Sequence, residues 1–254
     1  MTLATVVTWN LVFKGVVGGL ITALVAMGIV LVYRSSRVIN FAVGSIGIPA
    51  TALFAVMVGV HGWPYWPSLI AALAIGTLTG VLVELAVIRR LFKSPRVIVL
   101  VATIGVAQLC EAITLSLPAY RTGSLQTQFP VPFSGTWYPG LDIEVTSSQL
   151  LVLIVVPVIT VGLWWVLGHT AFGDAVRASA SNSDLARMTG INPKMVSTGV
   201  WAIAGFLGTV AILLTATDQT SADLVHIGPD TLLRGMPPPS SEAWCRSREL
   251  RSAP

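Results

Sequence analysis

The sequence has little charge for its length. Of its 254 residues, only 10% are Asp, Glu, Lys or Arg, whereas 54% are hydrophobic, and the mean hydropathy is +0.80. A soluble domain usually carries about 25% charged residues. So little charge leaves too little polar surface to face water, and no window of the chain has the composition of a soluble domain. The composition therefore predicts a polytopic membrane protein.

Motifs that would indicate chemistry are also missing. The two cysteines, Cys110 and Cys245, lie far apart in the chain, which excludes a disulfide framework and a metal-ligand spacing. The chain contains no GxxxxGK[ST] loop, so it cannot bind ATP in the P-loop manner. Lys and Arg do not cluster with aromatic residues as in a nucleic-acid surface. We therefore expect no enzyme, no cofactor or metal bound by this chain, and no nucleic-acid partner.

Six apolar runs are long enough to cross a bilayer, which takes about 20 mostly apolar residues. They lie near residues 11–33, 41–60, 68–88, 97–117, 149–168 and 195–217. Because backbone groups inside lipid must be satisfied within the segment, each run is predicted to be a helix. Small-residue pairs one turn apart, Gly15 with Gly19 and Gly76 with Gly80, favour close helix packing. The predicted fold is an all-α membrane bundle of about six transmembrane helices.

Positive residues predict the orientation of the bundle. Nine of them fall in the connections on one side: Arg34, Arg37, Arg89, Arg90, Lys93, Arg96, Arg177, Arg187 and Lys194. The other side has Arg121, with Lys14 at the start of the first span. Because cytoplasmic loops hold the positive excess, the N-terminus is predicted to lie outside. The Pro/Gly/Ser-rich segment 118–148 is then an extracytoplasmic loop.

The polar segment 172–194, between the fifth and sixth spans, carries the signals of two short helices. Asp174 is a candidate N-cap for the first helix, and Ser181 with Asp184 has capping-box spacing for the second. Gly190 followed by Ile191 resembles a C-cap. Asn192-Pro193 fits the N-cap and first position of the sixth span.

The same segment contains both charged pairs and apolar side chains. Asp174 with Arg177, and Asp184 with Arg187, are pairs three residues apart on a helix surface. Val176, Leu185, Met188 and Ile191 form a modest apolar set. Two interpretations fit these residues: a solvated loop with ordinary caps, or a rigid cytoplasmic element with an apolar side that binds a partner protein.

Polar residues inside the predicted spans are few. Glu84 lies about one turn before Arg89, which predicts an interfacial ion pair. Glu111 lies deeper with Gln108 one turn away, and intramembrane acids usually face the bundle interior or a water path. Glu111 is therefore expected to line a pathway or to bond across helices. Asn40 is expected either to cap the second span or to contribute to the pathway.

Several segments together resemble the permease subunit of branched-chain amino acid ABC transporters, the leucine/isoleucine/valine type. The similar segments are "GLITALVAMGIVLVYRSSRVINFAVGSIG", "VELAVIRRLF", "LVATIGVAQ", "GDAVRASASNSDLARMTGIN" and "GPDTLLR". They cover roughly residues 11–234, in the family's order and spacing. Where many relatives have a polar or acidic pair after Asn40-Phe41-Ala42, this chain has Val43 and Ser45.

The resemblance implies a role for the cytoplasmic segment, because in that family it docks into a cleft of a separate ATPase. The coupling residues implied for this chain are Gly173, Asp174, Arg177, Ala178, Asp184, Ala186, Arg187, Gly190 and Ile191. ATP would be used by that partner. The implied function is import of branched-chain amino acids or related small amides across the cytoplasmic membrane of a prokaryote.

The resemblance also implies an assembly. The partners would be a second permease subunit, identical or homologous, two ATPase subunits, an external substrate-binding protein and membrane lipid. Two alternatives stay open: an ion-coupled secondary transporter, in which Glu111 would carry the coupling ion, and a non-functional truncated remnant.

The C-terminal sequence differs from the rest. We expect a transmembrane permease domain over residues 1–234, incomplete relative to the family, followed by a tail over 235–254. The tail contains three consecutive prolines and has no apolar period, so it is expected to be disordered. It is interpreted as out-of-frame translation, or alternatively as a genuine short form with a disordered extension.

Overall fold

A computed structural model describes residues 9–91, 94–118, 129–131, 135–137 and 145–219. Its long helices are α1 (Trp9–Ser36), α2 (Val43–Gly59), α3 (Tyr65–Val83), α4 (Arg96–Ser116), α5 (Ser147–His169) and α8 (Pro193–Gln219). A π-helical turn, Glu84–Ile88, extends α3. Two short helices, α6 (Ala171–Ser181) and α7 (Ser183–Met188), join α5 to α8. The all-α membrane bundle is confirmed, and a helix lies at each of the six predicted runs.

Five of the six spans are long and apolar enough to cross a membrane, and α2 is shorter. Helix α2 has 17 residues, below the roughly 20 that a lipid-exposed span needs. Its burial explains how a shorter helix suffices. From Val43 to Ala52 every residue is buried, so other helices rather than lipid surround this part of α2.

Helix α8 forms the centre of the bundle. It packs along α1, α2 and α3, and it also touches α5 and α6. Helix α2 in turn packs against α3, α4 and α8. Buried apolar side chains of α8, among them Trp201, Leu207 and Ile212, reach three apolar clusters spread along the bundle axis. The core therefore lies around α8 and α2, whereas α4 and α5 lie at the periphery.

Glycines allow α8 to approach its neighbours at backbone distance. A Cβ atom on Gly205 would lie 2.6 Å from the carbonyl oxygen of Gly76 and 3.1 Å from the Cα of Gly80. A Cβ atom on Gly47 would lie 2.6 Å from the carbonyl oxygen of Gly208. The prediction of close packing is thus confirmed for Gly76 and Gly80. It is wrong for Gly15 and Gly19, because no other helix of the described residues comes within 4 Å of their Cβ positions.

An aromatic cluster lies at the end of the bundle near residue 60. The ring centroid of Phe54 lies 5.2 Å from that of Tyr65 and 5.7 Å from that of Phe129. Phe129 comes from the segment 118–148 and is almost fully buried. Two short strands, β1 (Thr136–Trp137) and β2 (Val145–Thr146), pair antiparallel in the same segment. The predicted outer loop therefore contributes to the core of the bundle as well as connecting two spans.

Parts of two predictions lie outside the described residues. These are the rest of the outer loop and the tail over 235–254, which falls in the undescribed range 220–254. The described connections 37–42, 89–91, 94–95 and 170–192 lie at one end of the bundle, and 60–64 and the described parts of 117–146 lie at the other. That arrangement is the one on which the charge argument for an outside N-terminus depends.

Replacement of Gly205 by alanine tests the close helix packing. The new Cβ atom would meet backbone atoms of α3, which cannot rotate away, so the two helices have to move apart. We expect a loss of about 1–3 kcal/mol in the free energy of unfolding, seen as a lower thermal midpoint in detergent. Gly162→Ala in α5 is the matched control, because its Cβ position is open. Equal midpoints for the two variants would contradict the packing.

Candidate coupling loop and polar groups of the spans

The first loop helix, α6, begins three residues before the predicted cap. Thr170 is the N-cap, and its hydroxyl oxygen accepts a hydrogen bond from the amide of Gly173 at 3.4 Å. The prediction that Asp174 caps this helix is wrong. Thr170 takes the position because its backbone is extended immediately after α5 ends. Asp174 lies in the first turn instead, where its charge still suits the helix dipole.

Helix α6 has a buried and an exposed face. Gly173 and Val176 are buried, and Ala178 is partly buried. On the exposed face, the Arg177 Nη2 and Asp174 Oδ1 atoms are 2.5 Å apart, so this predicted pair forms. The other Arg177 amino nitrogen donates to the carbonyl oxygen of Leu167 in α5. Arg177 therefore ties α6 to the end of the preceding span.

The second loop helix, α7, is capped by Asn182. The Asn182 Oδ1 atom accepts from the amide of Leu185 at 3.1 Å. A capping box starting at Ser181 is therefore wrong, because Ser181 still belongs to α6 and its hydroxyl donates to the carbonyl oxygen of Ala178 at 2.9 Å. The predicted pair of Asp184 with Arg187 lies outside the description, since the side chain of Asp184 is not described.

The turn that ends α7 is confirmed as a glycine C-cap. Gly190 has a φ of 85°, a conformation that glycine adopts without steric cost. The amide of Ile191 donates to the carbonyl oxygen of Ala186 at 3.0 Å, and the amide of Gly190 to that of Arg187 at 3.1 Å. These two bonds define a Schellman motif. Ala186 is buried and Ile191 packs against the adjacent apolar cluster, so the turn is anchored to the bundle.

The predicted start of α8 is also confirmed. The Asn192 Oδ1 atom accepts from the amide of Lys194 at 3.1 Å, and Pro193 is the first helical residue. Phe172 of α6 packs directly on α8, because a Cβ atom on Gly199 would lie 2.6 Å from its ring. The loop and the central helix are thus joined both along the chain and by side-chain contact.

Large apolar side chains remain exposed on this loop. Met188 is 85% exposed, and Leu185 and Met195 are also mainly exposed. Arg187 lies beside them and is exposed as well. In lipid such side chains would need no explanation, but Leu185 and Met188 lie in the charged connection between spans, and Met195 lies in the first turn of α8 beside it. An exposed apolar patch on a water-facing segment is typical of a protein-binding surface.

A polar network joins α3 to α8 at the same end of the bundle. The Arg89 Nη2 atom lies 3.3 Å from the Glu84 Oε2 atom, as the predicted ion pair requires. Arg89 Nη2 also donates to the Thr198 hydroxyl at 2.8 Å, and that hydroxyl lies 2.9 Å from Glu84 Oε2. The π-helical turn brings Glu84 and Arg89 onto one face, since its hydrogen bonds span five residues.

The deeper carboxylate, Glu111, bonds across helices. The Ser45 hydroxyl of α2 donates to the Glu111 Oε1 atom at 3.3 Å. Gln108, one turn earlier on α4, is exposed. Ser45, which departs from the pattern of the resembling family, therefore contacts one of the predicted pathway residues. Whether these groups line a pathway stays a prediction.

Asn40 is fully buried in the connection between α1 and α2. Its Oδ1 atom accepts from the amide of Ala42 at 2.9 Å, and Ala42 is the N-cap of α2. Asn40 is therefore not the cap itself but forms the turn that leads into it. Its Nδ2 atom has no hydrogen-bond partner among the described residues. Among the residues that the structure describes, no hydrogen bond joins Asn40 to Gln108 or Glu111.

Sequence reasoning did not identify four residues that the structure brings to these sites: Thr170, Asn182, Thr198 and Ser45. Thr170 precedes a helical segment, so its type and position could have indicated a cap. Thr198 and Ser45 carried no such local signal, because their partners lie 114 and 66 residues away in the chain.

The bundle of apolar helices joined by charged connections defines an integral multi-pass membrane protein. The profile of a family described as "Branched-chain amino acid transport system / permease component" matches residues 11–236. The chain belongs to this family of transport permeases.

Individual relatives are similar at lower coverage. The fructose import permease protein FruF of Bifidobacterium longum is 30% identical over 232 residues, which is 88% of this chain and 62% of that protein. A probable branched-chain amino acid permease protein LivH of Methanocaldococcus jannaschii is 28% identical, over 74% of this chain and 60% of its own length. LivH of Escherichia coli K12 is 27% identical, over 80% and 68%.

The chain thus spans about three fifths of the length of the first two relatives. The search of solved structures found no match.

Replacement of Arg89 by alanine tests the network between α3 and α8. The change leaves the buried carboxylate of Glu84, which is 2% exposed, without its cation. We expect a loss of about 1–3 kcal/mol in the free energy of unfolding. Arg90→Ala is the control, because Arg90 is exposed. The double variant Arg89→Ala/Glu84→Gln should recover part of the loss. Equal free energies of unfolding for Arg89→Ala and Arg90→Ala would show that the network does not stabilise the fold.

Proposed function

We propose that this chain is the membrane-spanning permease subunit of an ABC importer, coupled through residues 170–192 to a separate ATPase. Membership of the permease family supports the transport part of this proposal. Branched-chain amino acids or related small amides are the proposed substrates, because the family description and two of the relatives above carry that name. The likeness to a fructose permease makes the substrate the least constrained part of the proposal.

The observation that carries the coupling role is the exposed apolar patch of Leu185, Met188 and Met195 beside a rigid turn. The patch lies at the end of the bundle where the positive connections collect, and this end is predicted to be cytoplasmic. An ATPase subunit is soluble and would meet the permease there. Apolar side chains surrounded by charge are suited to the centre of such a contact.

The loop is built to move with the spans rather than independently of them. Its two short helices have caps at Thr170 and Asn182, and the second ends in the Schellman turn at Gly190. Ile191 and Phe172 anchor it on the bundle and on α8. A displacement imposed on α7 would thus be passed to α8 as a rigid-body movement.

The remaining parts of the proposal concern the assembly. Two permease subunits, identical or homologous, would enclose the pathway, and an external binding protein would deliver the substrate to the outer loops. The location would be the cytoplasmic membrane of a prokaryote. Gln108 and Glu111 on α4 are proposed to face the pathway, because Gln108 is exposed and Glu111, which accepts from Ser45 of α2, is only partly buried.

The proposal is tested by co-purification of the permease with the ATPase subunits of its own transport system. Met188→Glu should reduce the retained ATPase at least tenfold. Loss of one buried apolar side chain costs about 1.5–3 kcal/mol, and 1.4 kcal/mol is a factor of ten in affinity. Met188→Leu keeps the side chain apolar and serves as the control. In the same system, Glu111→Gln should lower uptake without lowering ATPase retention.

Two results would oppose the coupling role. One is full ATPase retention by Met188→Glu. The other is equal loss in Met188→Glu and Met188→Leu, since the leucine variant preserves the apolar surface. Each variant is first compared with the parent chain by size-exclusion chromatography, so that a misfolded protein is not scored as one that fails to bind.

A further inference from the structure

A groove runs along the outside of the bundle between α1 and α5 and ends in a basic pocket. It consists of an apolar cavity of about 460 Å³ and a basic cavity of about 540 Å³. The two cavities share walls made by Val30, Leu31, Arg34 and Leu167. They are therefore adjacent, and together they are called the α1–α5 groove below. Its basic half lies at the end predicted to be cytoplasmic.

The apolar half of the α1–α5 groove lies within the spans. Its walls include Ala26 and Met27 of α1 and Leu163 and Trp164 of α5. The one hydroxyl on the wall, that of Thr160, donates to the carbonyl oxygen of Val156 at 2.8 Å. Apart from Arg34, which both halves share, and the indole N–H of Trp164, the wall side chains here are apolar or already bonded, so an apolar occupant fits this half.

The basic half collects three guanidinium groups from two helices and a connection. Arg37 follows α1 with a φ of 55°, unusual for a residue other than glycine. Its Nη2 atom donates to the carbonyl oxygen of Ala180 at 3.2 Å. Arg177 is held by Asp174 and by the carbonyl oxygen of Leu167. Arg34 has no hydrogen bond or ion pair within the described ranges, and none of the residues that line this half is acidic.

We propose that the α1–α5 groove binds an anionic glycerophospholipid. Its phosphate would lie at Arg34 between Arg37 and Arg177, and an acyl chain would follow the apolar half between α1 and α5. Basic pockets between transmembrane helices on the cytoplasmic side suit acidic lipid headgroups. Tyr33 lines the basic half and Trp164 the apolar half, and both are exposed; Tyr and Trp are enriched at the membrane interface.

The shape of the groove favours a lipid over other anions. A free phosphate would use the arginines and leave the apolar half empty. A protein segment arriving from water would reach the basic half, but the apolar half lies at hydrocarbon depth, where lipid is already present. A bound lipid would contact α1, α5 and α6 together, because all three contribute walls. It would therefore fix the first loop helix against the spans.

Native mass spectrometry of the full chain in detergent tests this site with two lipids of identical acyl chains, phosphatidylglycerol and phosphatidylcholine. Phosphatidylglycerol should bind more tightly. Arg34→Gln should weaken phosphatidylglycerol binding about fivefold and leave phosphatidylcholine unchanged. Arg34→Lys keeps the charge and should retain most of the binding, which an unfolded variant would not. Arg90→Gln, outside the groove, is the charge-matched control.

A second pair of variants tests the apolar half. Ala26→Phe fills it and should weaken the binding of both lipids, whereas Ala74→Phe, on an exposed position of α3, should weaken neither. Equal binding of the two lipids by the parent chain would overturn the proposal, as would an unchanged Arg34→Gln variant. Displacement of phosphatidylglycerol by millimolar inorganic phosphate would also overturn it, since the site would then be one for free anions. Displacement by the partner ATPase would assign the groove to protein instead.

Discussion

The architecture depends on the backbone contact of α8 with α2 and α3. In lipid no hydrophobic effect drives helices together, so close van der Waals packing has to hold them. Gly205 approaches Gly76 and Gly80, and Gly208 approaches Gly47, at distances that leave no room for a side chain. This crossing brings α8 into the centre of the bundle. It also allows α2, with only 17 residues, to be covered by protein rather than by lipid.

The same helix connects the core to the charged loop. Helix α8 starts at Pro193, two residues after Ile191 anchors the Schellman turn. The Thr198 hydroxyl then ties its first turns to Glu84 and Arg89 of the neighbouring span. The proposed coupling to a separate ATPase requires such a stiff link, because the chemistry would take place on another chain. The energy of that chemistry can reach the spans only as movement.

Much of the fold could be predicted from the sequence, because the signals were local. Apolar run length located six helices, and the Gly190 and Asn192-Pro193 signals located two helix boundaries. The first loop cap was missed because Asp174 and Thr170 are both acceptable cap residues, and the end of α5 decided between them. Contacts between segments distant in the chain, such as Ser45 with Glu111 and Thr198 with Glu84, have no signal in the sequence around either residue. The Cβ position of Gly15 is open, whereas that of Gly76 is occupied by atoms of α8. This difference likewise depends on which helices become neighbours.

The central claim is that α7 is the surface on which the ATPase acts. Photo-cross-linking tests it most directly, with a benzophenone amino acid placed at Met188, or at Val158 on the exposed face of α5 as the control. The assembled transporter would be irradiated in membranes and analysed by mass spectrometry. The account predicts a covalent product between the permease and the ATPase from position 188 and none from position 158. An assembled, ATP-hydrolysing transporter that gives no product from position 188 would contradict it.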